Sequence, residues 1–382
     1  MGLKKLAAFL LAGLSVAFCF PFRASALSKE EVAAPSAVLM EAQTGKLLYE
    51  KQDHEKRACA SITKVMTLLL VMEALDSGKI GLSDTVTASE HAASMGGSDI
   101  WLEPGESMTV NDMLKATVIA SANDAAVALA EYVSGSEDEF VLQMNQRAKE
   151  LGMKDTVFKN VNGLDEDGHV TSAYDVALMS QELIRHTKIF DYTKVWMDHV
   201  RDGKTQLVNT NKLLKSYKGI TGLKTGTTGK AGSCISATAE RDGVSLIAVV
   251  LGSSSTSDRF KSASTLLDYG FANWSVVNAQ VPGEAKAPVV VENGMSSNVE
   301  TTVNAGESLL VPKGKAGQVE SKVSVNGKVR APVRKGQVLG KITYSLGGEV
   351  LKESEIRAKQ AVESITFSSA FFRLLRLVLM DP

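Results

Sequence analysis

Three short groups of polar residues stand where serine chemistry could be run. Ser61-Ile62-Thr63-Lys64 sets a hydroxyl and an amine three residues apart at the head of a long apolar run. Ser121-Ala122-Asn123 pairs a second hydroxyl with an amide, and Lys224-Thr225-Gly226-Thr227 joins a second amine to two more hydroxyls. A serine hydroxyl is a weak nucleophile at neutral pH and needs a base within hydrogen-bond reach. Residues i and i+3 of a helix share a face, so Lys64 can reach Ser61. Burial disfavours an ammonium and lowers a lysine pKa, and a second cation nearby lowers it further. The N-terminus of the helix adds partial positive charge where an oxyanion would form. The chemistry implied is acyl transfer through a serine ester. One serine–lysine pair at this spacing arises often by accident, with the lysine reaching to solvent. The three groups in this chain order are far more specific.

Those residues need elements to hold them. Around Thr44-Gly45, residues 34–49 predict a hairpin. The run from Ser61, SITKVMTLLLVMEAL, is apolar almost all round and predicts a buried helix that Gly78 ends. Asn111 is the expected cap of a helix running to about Ile119, and Ser121-Ala122-Asn123 falls in the loop before the next helix, which starts near Asp124. Further helices are expected over 137–151 and 172–186, separated by the loop VNGLDEDGHVT. From Gly222 the period changes. Strands are expected over 222–227, 233–240 and 244–252, with Lys224-Thr225-Gly226 on an edge strand, followed by a helix over 257–274. Helices between antiparallel strands from both ends predict an α+β sandwich in which the N-terminal hairpin pairs with the later meander.

Beyond residue 279 helix signals vanish and short alternating strands predict a small all-β domain to about 365, punctuated by Asn326-Gly327 and Gly347-Gly348. The tail 366–382 predicts an amphipathic helix. Phe367, Phe371, Leu375, Val378 and Leu379 share one face, with Ser369, Arg373 and Arg376 opposite. Its apolar stretch is too short to span a bilayer, which takes about 20 residues, so it reads as an in-plane anchor. At the other end Lys4-Lys5, the apolar run 6–20 and Ala24-Ser25-Ala26 have the form of a secretory signal peptide cleaved after Ala26. The expected division is therefore signal peptide 1–26, catalytic domain 27–276, β domain 279–365 and anchor 366–382.

With 382 residues, 44% hydrophobic, 22% charged and a net charge of -1, the chain has ordinary globular composition and gives no reason to expect nucleic acid as a partner. Cys59 and Cys234, the two cysteines beyond the signal, are no disulfide framework and read as small buried hydrophobes. The five histidines are scattered, with no metal-ligand spacing, and His169 reads as a structural or surface residue.

The three motifs in order, with the stretches VNGLDEDG and KTGTTGKAG, resemble the serine D-alanyl-D-alanine carboxypeptidases, which are low-molecular-mass penicillin-binding proteins. The resemblance covers nearly the whole chain, from signal peptide to tail. It implies that Ser61 is acylated, Lys64 is its base, Ser121 relays a proton to the leaving D-alanine and Asn123 binds the substrate amide. Lys224 would add positive charge beside Ser121 and help depress the Lys64 pKa. Thr225, Gly226 and Thr227 would line the carboxylate site. The amides of Ser61 and Thr227 would form the oxyanion hole. Arg259 resembles an arginine that assists with the terminal carboxylate, although no short motif fixes its place and it also reads as a surface arginine. The resemblance implies stem peptides of peptidoglycan as substrate, β-lactams as covalent inhibitors, action outside the cytoplasm, and neither metal nor cofactor. A β-lactamase shares the motifs but would need a glutamate in an ExxLN loop, which is not found between Ser121 and Lys224. A wall-binding scaffold with a retired site and a transpeptidase are the other readings.

Overall fold

A computed structural model describes residues 27–304 and 308–379, so the expected signal peptide lies outside the described residues. Five antiparallel strands form the central sheet: β1 (Ser36–Glu41), β2 (Leu47–Lys51), β3 (Ile220–Thr228), β4 (Gly232–Arg241) and β5 (Val244–Ser253). They lie in the order β2-β1-β5-β4-β3. The N-terminal hairpin therefore joins the later meander through β1 and β5, with Ala37 opposite Val250 and Leu39 opposite Ala248. β3 is an edge strand, which leaves one side of Lys224-Thr225-Gly226-Thr227 unpaired by sheet.

Both faces of this sheet are covered, which is why β1 and β5 read as continuous apolar runs rather than alternating ones. Val38, Met40, Ile247, Val249 and Leu251 face the larger core, and Ala37, Leu39, Leu246, Ala248 and Val250 face the other. The larger core is capped by α1 (Lys64–Asp76), α2 (Asn123–Ser134) and α3 (Ala173–Leu183). The other face is covered by α4 (Thr256–Asn273), whose Ala263, Leu266 and Leu267 are fully buried. α1 has no wet face along its first turns, where Val65, Met66, Leu68, Leu69, Val71 and Met72 are all buried.

Three local features depart from the sequence reading. Ser61 lies not on the α-helix but in a 3-10 turn over Ala60–Thr63 that precedes it, because Ala60 adopts φ +50. The helix at Val110–Lys115 is capped by Thr109, whose hydroxyl accepts from the Asp112 amide. Asn111 instead accepts from the Tyr192 hydroxyl at 2.9 Å, so its side chain is committed to a tertiary contact. Past Lys115 the helix widens into a π turn over Ala116–Ala120 and stops at Ser121, which is left-handed at φ +64, ψ +26. The turn aims Ser121 out of the helix and into the site. A non-glycine residue in that region is uncommon and, like π turns, clusters at functional positions.

α4 passes directly into a strand, Trp274–Asn278, that pairs with Ser308–Pro312 of the C-terminal region. The expected helix over 257–274 thus ends one residue earlier, and pairing with the β region begins at Trp274. The rest of that region is strands with two small cores, one around Val291, Val299 and Leu339, the other around Leu309, Ile342 and Ile356. A terminal helix, α5 (Phe367–Leu379), follows.

Candidate active site

The three motifs, scattered over more than 160 positions, meet where the head of α1, the head of α2 and the edge strand β3 converge. Lys64 is completely buried. Its Nζ lies 3.0 Å from Ser61 Oγ, 2.5 Å from Asn123 Oδ1 and 2.8 Å from the Asn162 carbonyl. Two of these neighbours are carbonyl oxygens that can only accept. A neutral amine donates its two N–H groups to them, which leaves its lone pair facing the Ser61 hydroxyl, so that Ser61 O–H can donate to Lys64. Burial, then the nearby Lys224 cation, push the Lys64 pKa well below its ordinary value, with Asp124 acting the other way.

Lys224, also buried, donates from Nζ to Ser121 Oγ at 2.7 Å and to the Thr225 carbonyl at 3.0 Å. Its pKa is brought down to about 7 by burial and then by Arg259. Asn123 donates from Nδ2 to the Gly96 carbonyl at 2.7 Å, which fixes its amide so that Oδ1 faces Lys64. Thr225 shares a 2.6 Å hydrogen bond with Thr210, while Thr227, two residues further along β3, is exposed. Gly226 is required by packing: a Cβ there would lie 2.8 Å from the Ser61 nitrogen and 2.9 Å from the Cys59 carbonyl. Only glycine lets the edge strand approach the nucleophile turn so closely.

Arg259 is not a surface residue. It is 5% exposed, and Nη1 donates to the Gly226 carbonyl, Thr227 Oγ1 and the Cys234 carbonyl at 3.0, 3.0 and 3.2 Å. Its Nε is buried without a partner, and no carboxylate among the described residues pairs with it. A buried guanidinium without an anion is costly unless a ligand supplies one.

Several residues that shape the site were given no role in it from the sequence, although Asn162 and Gly163 lie in the VNGLDEDG stretch. Asn162 contributes its backbone carbonyl to Lys64, and Gly163, at φ +86, packs against the nucleophile turn so tightly that a Cβ would fall 1.9 Å from the Ala60 oxygen. Asp124, buried beside Asn123, accepts from the amides of Ile100, Leu102 and Ala125. Thr63 bonds His169 Nε2 at 2.8 Å and Cys59 Sγ at 3.3 Å. The sequence signals were the VNGLDEDG stretch for Asn162 and Gly163 and, for Asp124, its place directly after the SxN motif.

His169 is buried and structural. Its Nδ1 accepts from the Lys159 amide, so the neutral ring carries its proton on Nε2 toward Thr63. Burial lowers its pKa to about 4. In the unfolded chain it protonates near 6.5. Between those values the unfolded state binds the extra proton, so stability falls as pH drops through that window. Wild type is expected to lose about 2 kcal/mol more between pH 7 and pH 5 than His169→Gln, read from urea unfolding at each pH. Equal losses in both chains would contradict it.

Cys59 and Cys234 are both buried free thiols, with pKa values raised by burial to about 12 and about 11, which keeps them protonated and unreactive. Among the described residues Glu73, Glu182 and His186 come within 4.8 Å of one another, but Arg147 donates to both glutamates and supplies the cation there. A cavity of about 480 Å³ lined by Thr85, Glu106, Asp112, Arg201 and Lys204 contains none of the motif residues.

Comparison with known proteins shows the family. Residues 23–255 match the family described as D-alanyl-D-alanine carboxypeptidase, and residues 277–364 match the penicillin-binding protein 5 C-terminal domain. The chain is 45% identical to the D-alanyl-D-alanine carboxypeptidase DacF of Bacillus subtilis, over 96% of each chain. It is 35% identical to DacC of Escherichia coli, over 97% of this chain and 96% of that one. Penicillin-binding protein 5 of Haemophilus influenzae, a solved structure, is similar with a TM-score of 0.78 and 30% identity, covering 88% of this chain and all of the other. Penicillin-binding protein D2 of Listeria monocytogenes in its ampicillin-bound form matches 63% of this chain and 98% of its own, at 33% identity and a TM-score of 0.58.

Proposed function

The chain belongs to the D-alanyl-D-alanine carboxypeptidase family, and from that premise we propose the course of its reaction residue by residue. It is a serine carboxypeptidase that cleaves the terminal D-Ala-D-Ala bond of peptidoglycan stem peptides and binds penicillin. The stem peptide lies along β3 with its terminal carboxylate against Thr225, Thr227 and Arg259. That anion raises the pKa of neighbouring Lys224 and restores its charge when substrate is bound. Neutral Lys64 takes the Ser61 proton as Oγ attacks the carbonyl of the penultimate D-alanine. The amides of Ser61 and Thr227 stabilise the oxyanion. The proton passes from Lys64 by way of Ser121 to the amine of the terminal D-alanine, which leaves. Water then attacks the ester with Lys64 again as base, and Ser61 is regenerated. A β-lactam enters the same path, but its opened ring keeps the leaving amine tethered and the ester persists.

The observation that carries this reading is the fully buried Lys64 amine 3.0 Å from Ser61 Oγ, with two carbonyls taking its N–H groups. The test is intact-mass analysis after benzylpenicillin, beside D-alanine release from a disaccharide pentapeptide. One penicillin adduct on the peptide containing Ser61, with D-alanine released, is the expected result. Rapid catalytic turnover of the penicillin without D-alanine release would make the chain a β-lactamase instead.

The tail supports attachment to a membrane surface after export by segment 1–26. Phe367 is 88% exposed, and Phe371, Phe372, Leu374 and Leu379 are exposed with it. Phe367 and Phe371 stack at 6.4 Å on one side of α5. At about 1.5 Å per residue this helix is well short of a bilayer core of about 30 Å, so it lies in the interface plane. No helix among the described residues is long and apolar enough to cross a membrane. Deleting residues 367–382 is expected to release the mature protein from anionic vesicles in a flotation assay while D-alanine release persists. Co-flotation of the truncated chain would defeat the anchor.

A further inference from the structure

Trp101 is the most exposed of the three tryptophans, at 79%, and it stands in the left-handed region at φ +53. For a bulky side chain that conformation is rare and costly, and stability alone would select glycine or asparagine there. The surroundings nevertheless hold it from both sides. The buried Asp124 carboxylate accepts from the amides before and after it, Ile100 at 3.1 Å and Leu102 at 3.0 Å, and Asp99 faces the Trp101 amide itself. Arg201 donates to the Ile100 and Trp101 carbonyls at 2.7 and 3.3 Å. Arg201 is in turn gripped by Glu106 at 2.6 and 3.0 Å. Hydrogen bonds, those to Asp124 buried, thus fix the backbone of an aromatic ring that is left in water. That is the pattern of a recognition platform whose ordering entropy is lost on folding rather than on binding.

The platform is continuous with the catalytic cleft. Asp124 directly follows Asn123, and Asn123 donates to Ser98 and Gly96 of the same loop at 2.6 and 2.7 Å. The loop that carries Trp101 therefore borders the Asn123 side of the cleft. We propose that Trp101 stacks on a pyranose ring of the glycan strand whose stem peptide occupies the cleft. This rests on the carboxypeptidase reading above. The four residues that precede the terminal D-alanine span at most about 14 Å when extended, so the sugar bearing them belongs at the rim, not beside Ser61. A pyranose offers a flat face of C–H groups, which suits the electron-rich face of an indole. Its hydroxyl and acetamido N–H donors meet the carboxylates of Asp99 and Glu103 on either side of Trp101.

Two substrates separate sugar binding from catalysis: a disaccharide pentapeptide, and the same pentapeptide with its amino end acetylated in place of the sugars. For the full-length mature enzyme the quantity read is the ratio of kcat/KM on the first to that on the second. Trp101→Gly suits the positive φ and removes the ring, and this ratio is expected to fall about tenfold. Trp101→Phe keeps a ring and should recover most of it. A second readout does not depend on a folded variant: the sugar disaccharide alone should shift the tryptophan fluorescence of wild type. An unchanged ratio in Trp101→Gly, or silence of the wild-type fluorescence at millimolar disaccharide, would overturn the saccharide platform. A parallel loss on both substrates would overturn it as well and make Trp101 a wall of the peptide cleft. Should wild type release D-alanine from neither substrate, it is the carboxypeptidase reading that fails.

Discussion

Lys64→Met is expected to acylate with benzylpenicillin about 10⁴-fold more slowly than wild type while remaining folded. Methionine fills nearly the same volume along the same path, and it removes an amine that burial already makes costly to charge. What disappears is the lone pair 3.0 Å from Ser61 Oγ. The Asn123 and Asn162 oxygens lose a donor, so a drop of about 1–3 kcal/mol in stability accompanies the loss. Lys64→Arg distinguishes a base from a mere hydrogen-bond donor. A guanidinium keeps N–H groups to offer but cannot give up its proton near neutral pH, so this variant should be as slow. In wild type the acylation rate should rise with pH through the lowered Lys64 pKa, because only the free amine accepts the serine proton. Removal of Lys224 takes away a cation that depresses that pKa, so the acid limb should move to higher pH. Stopped-flow acylation across pH reads all three. A Lys64→Arg enzyme with near-normal rates would rule out proton abstraction by this residue.

Gly163→Ala should have the largest effect on the fold of the site. The added Cβ would fall 1.9 Å from the Ala60 oxygen and 2.9 Å from Thr63 Oγ1, at a backbone φ of +86. Neither neighbour is the yielding end of a flexible chain. The loop 162–164 must therefore lift off the nucleophile turn, and the Asn162 carbonyl goes with it. A cost of about 3 kcal/mol or more is expected, seen as a fall of about 10 °C in the melting of the catalytic region. Penicillin acylation should drop about a hundredfold even well below that melting point, since a displacement of about 1 Å misplaces the base. Gly78→Ala is the control. Gly78 has a similar φ of +73, but nothing lies within 4 Å of a Cβ there. It should lose only the conformational cost of about 1–2 kcal/mol and keep its acylation rate. Equal behaviour of the two variants would show that the close contact at Gly163 does not shape the site.

The residues that converge on the site were legible in the sequence because serine acyl transfer restricts residue type. A hydroxyl needs a base, the base must lose its proton, and few pairs at fixed spacing do both. The strands were legible through turns and apolar runs. What escaped detection depends on contacts between distant segments. Asn162 acts through a backbone carbonyl, which any residue carries, and it meets Lys64 across 98 positions. The close fit demanded of Gly163 is invisible until the Ala60–Ser61 turn is brought against it, and the same holds for the packing, though not the motif, of Gly226. Thr109 and Asn111 are equally good caps on local grounds, and only the Tyr192 hydroxyl decides between them. Arg259 is suggested by resemblance alone and otherwise reads as solvated, because its partners are two carbonyls and a hydroxyl from other strands. The positive φ at Ala60 and Ser121 contradicts local preference, and these residues stand beside Ser61 and Asn123, while Trp101, also at positive φ, stands at the proposed saccharide platform.

The passage from α4 into the strand Trp274–Asn278 occurs without a single intervening residue, and that strand is sewn into the C-terminal region by five paired positions ending at Asn278 and Ser308. Such a joint has no swivel. Standing on the proposed lipid footing, the enzyme would work like a fixed-height plane, and the depth of wall within its stroke would be a dimension built into the chain.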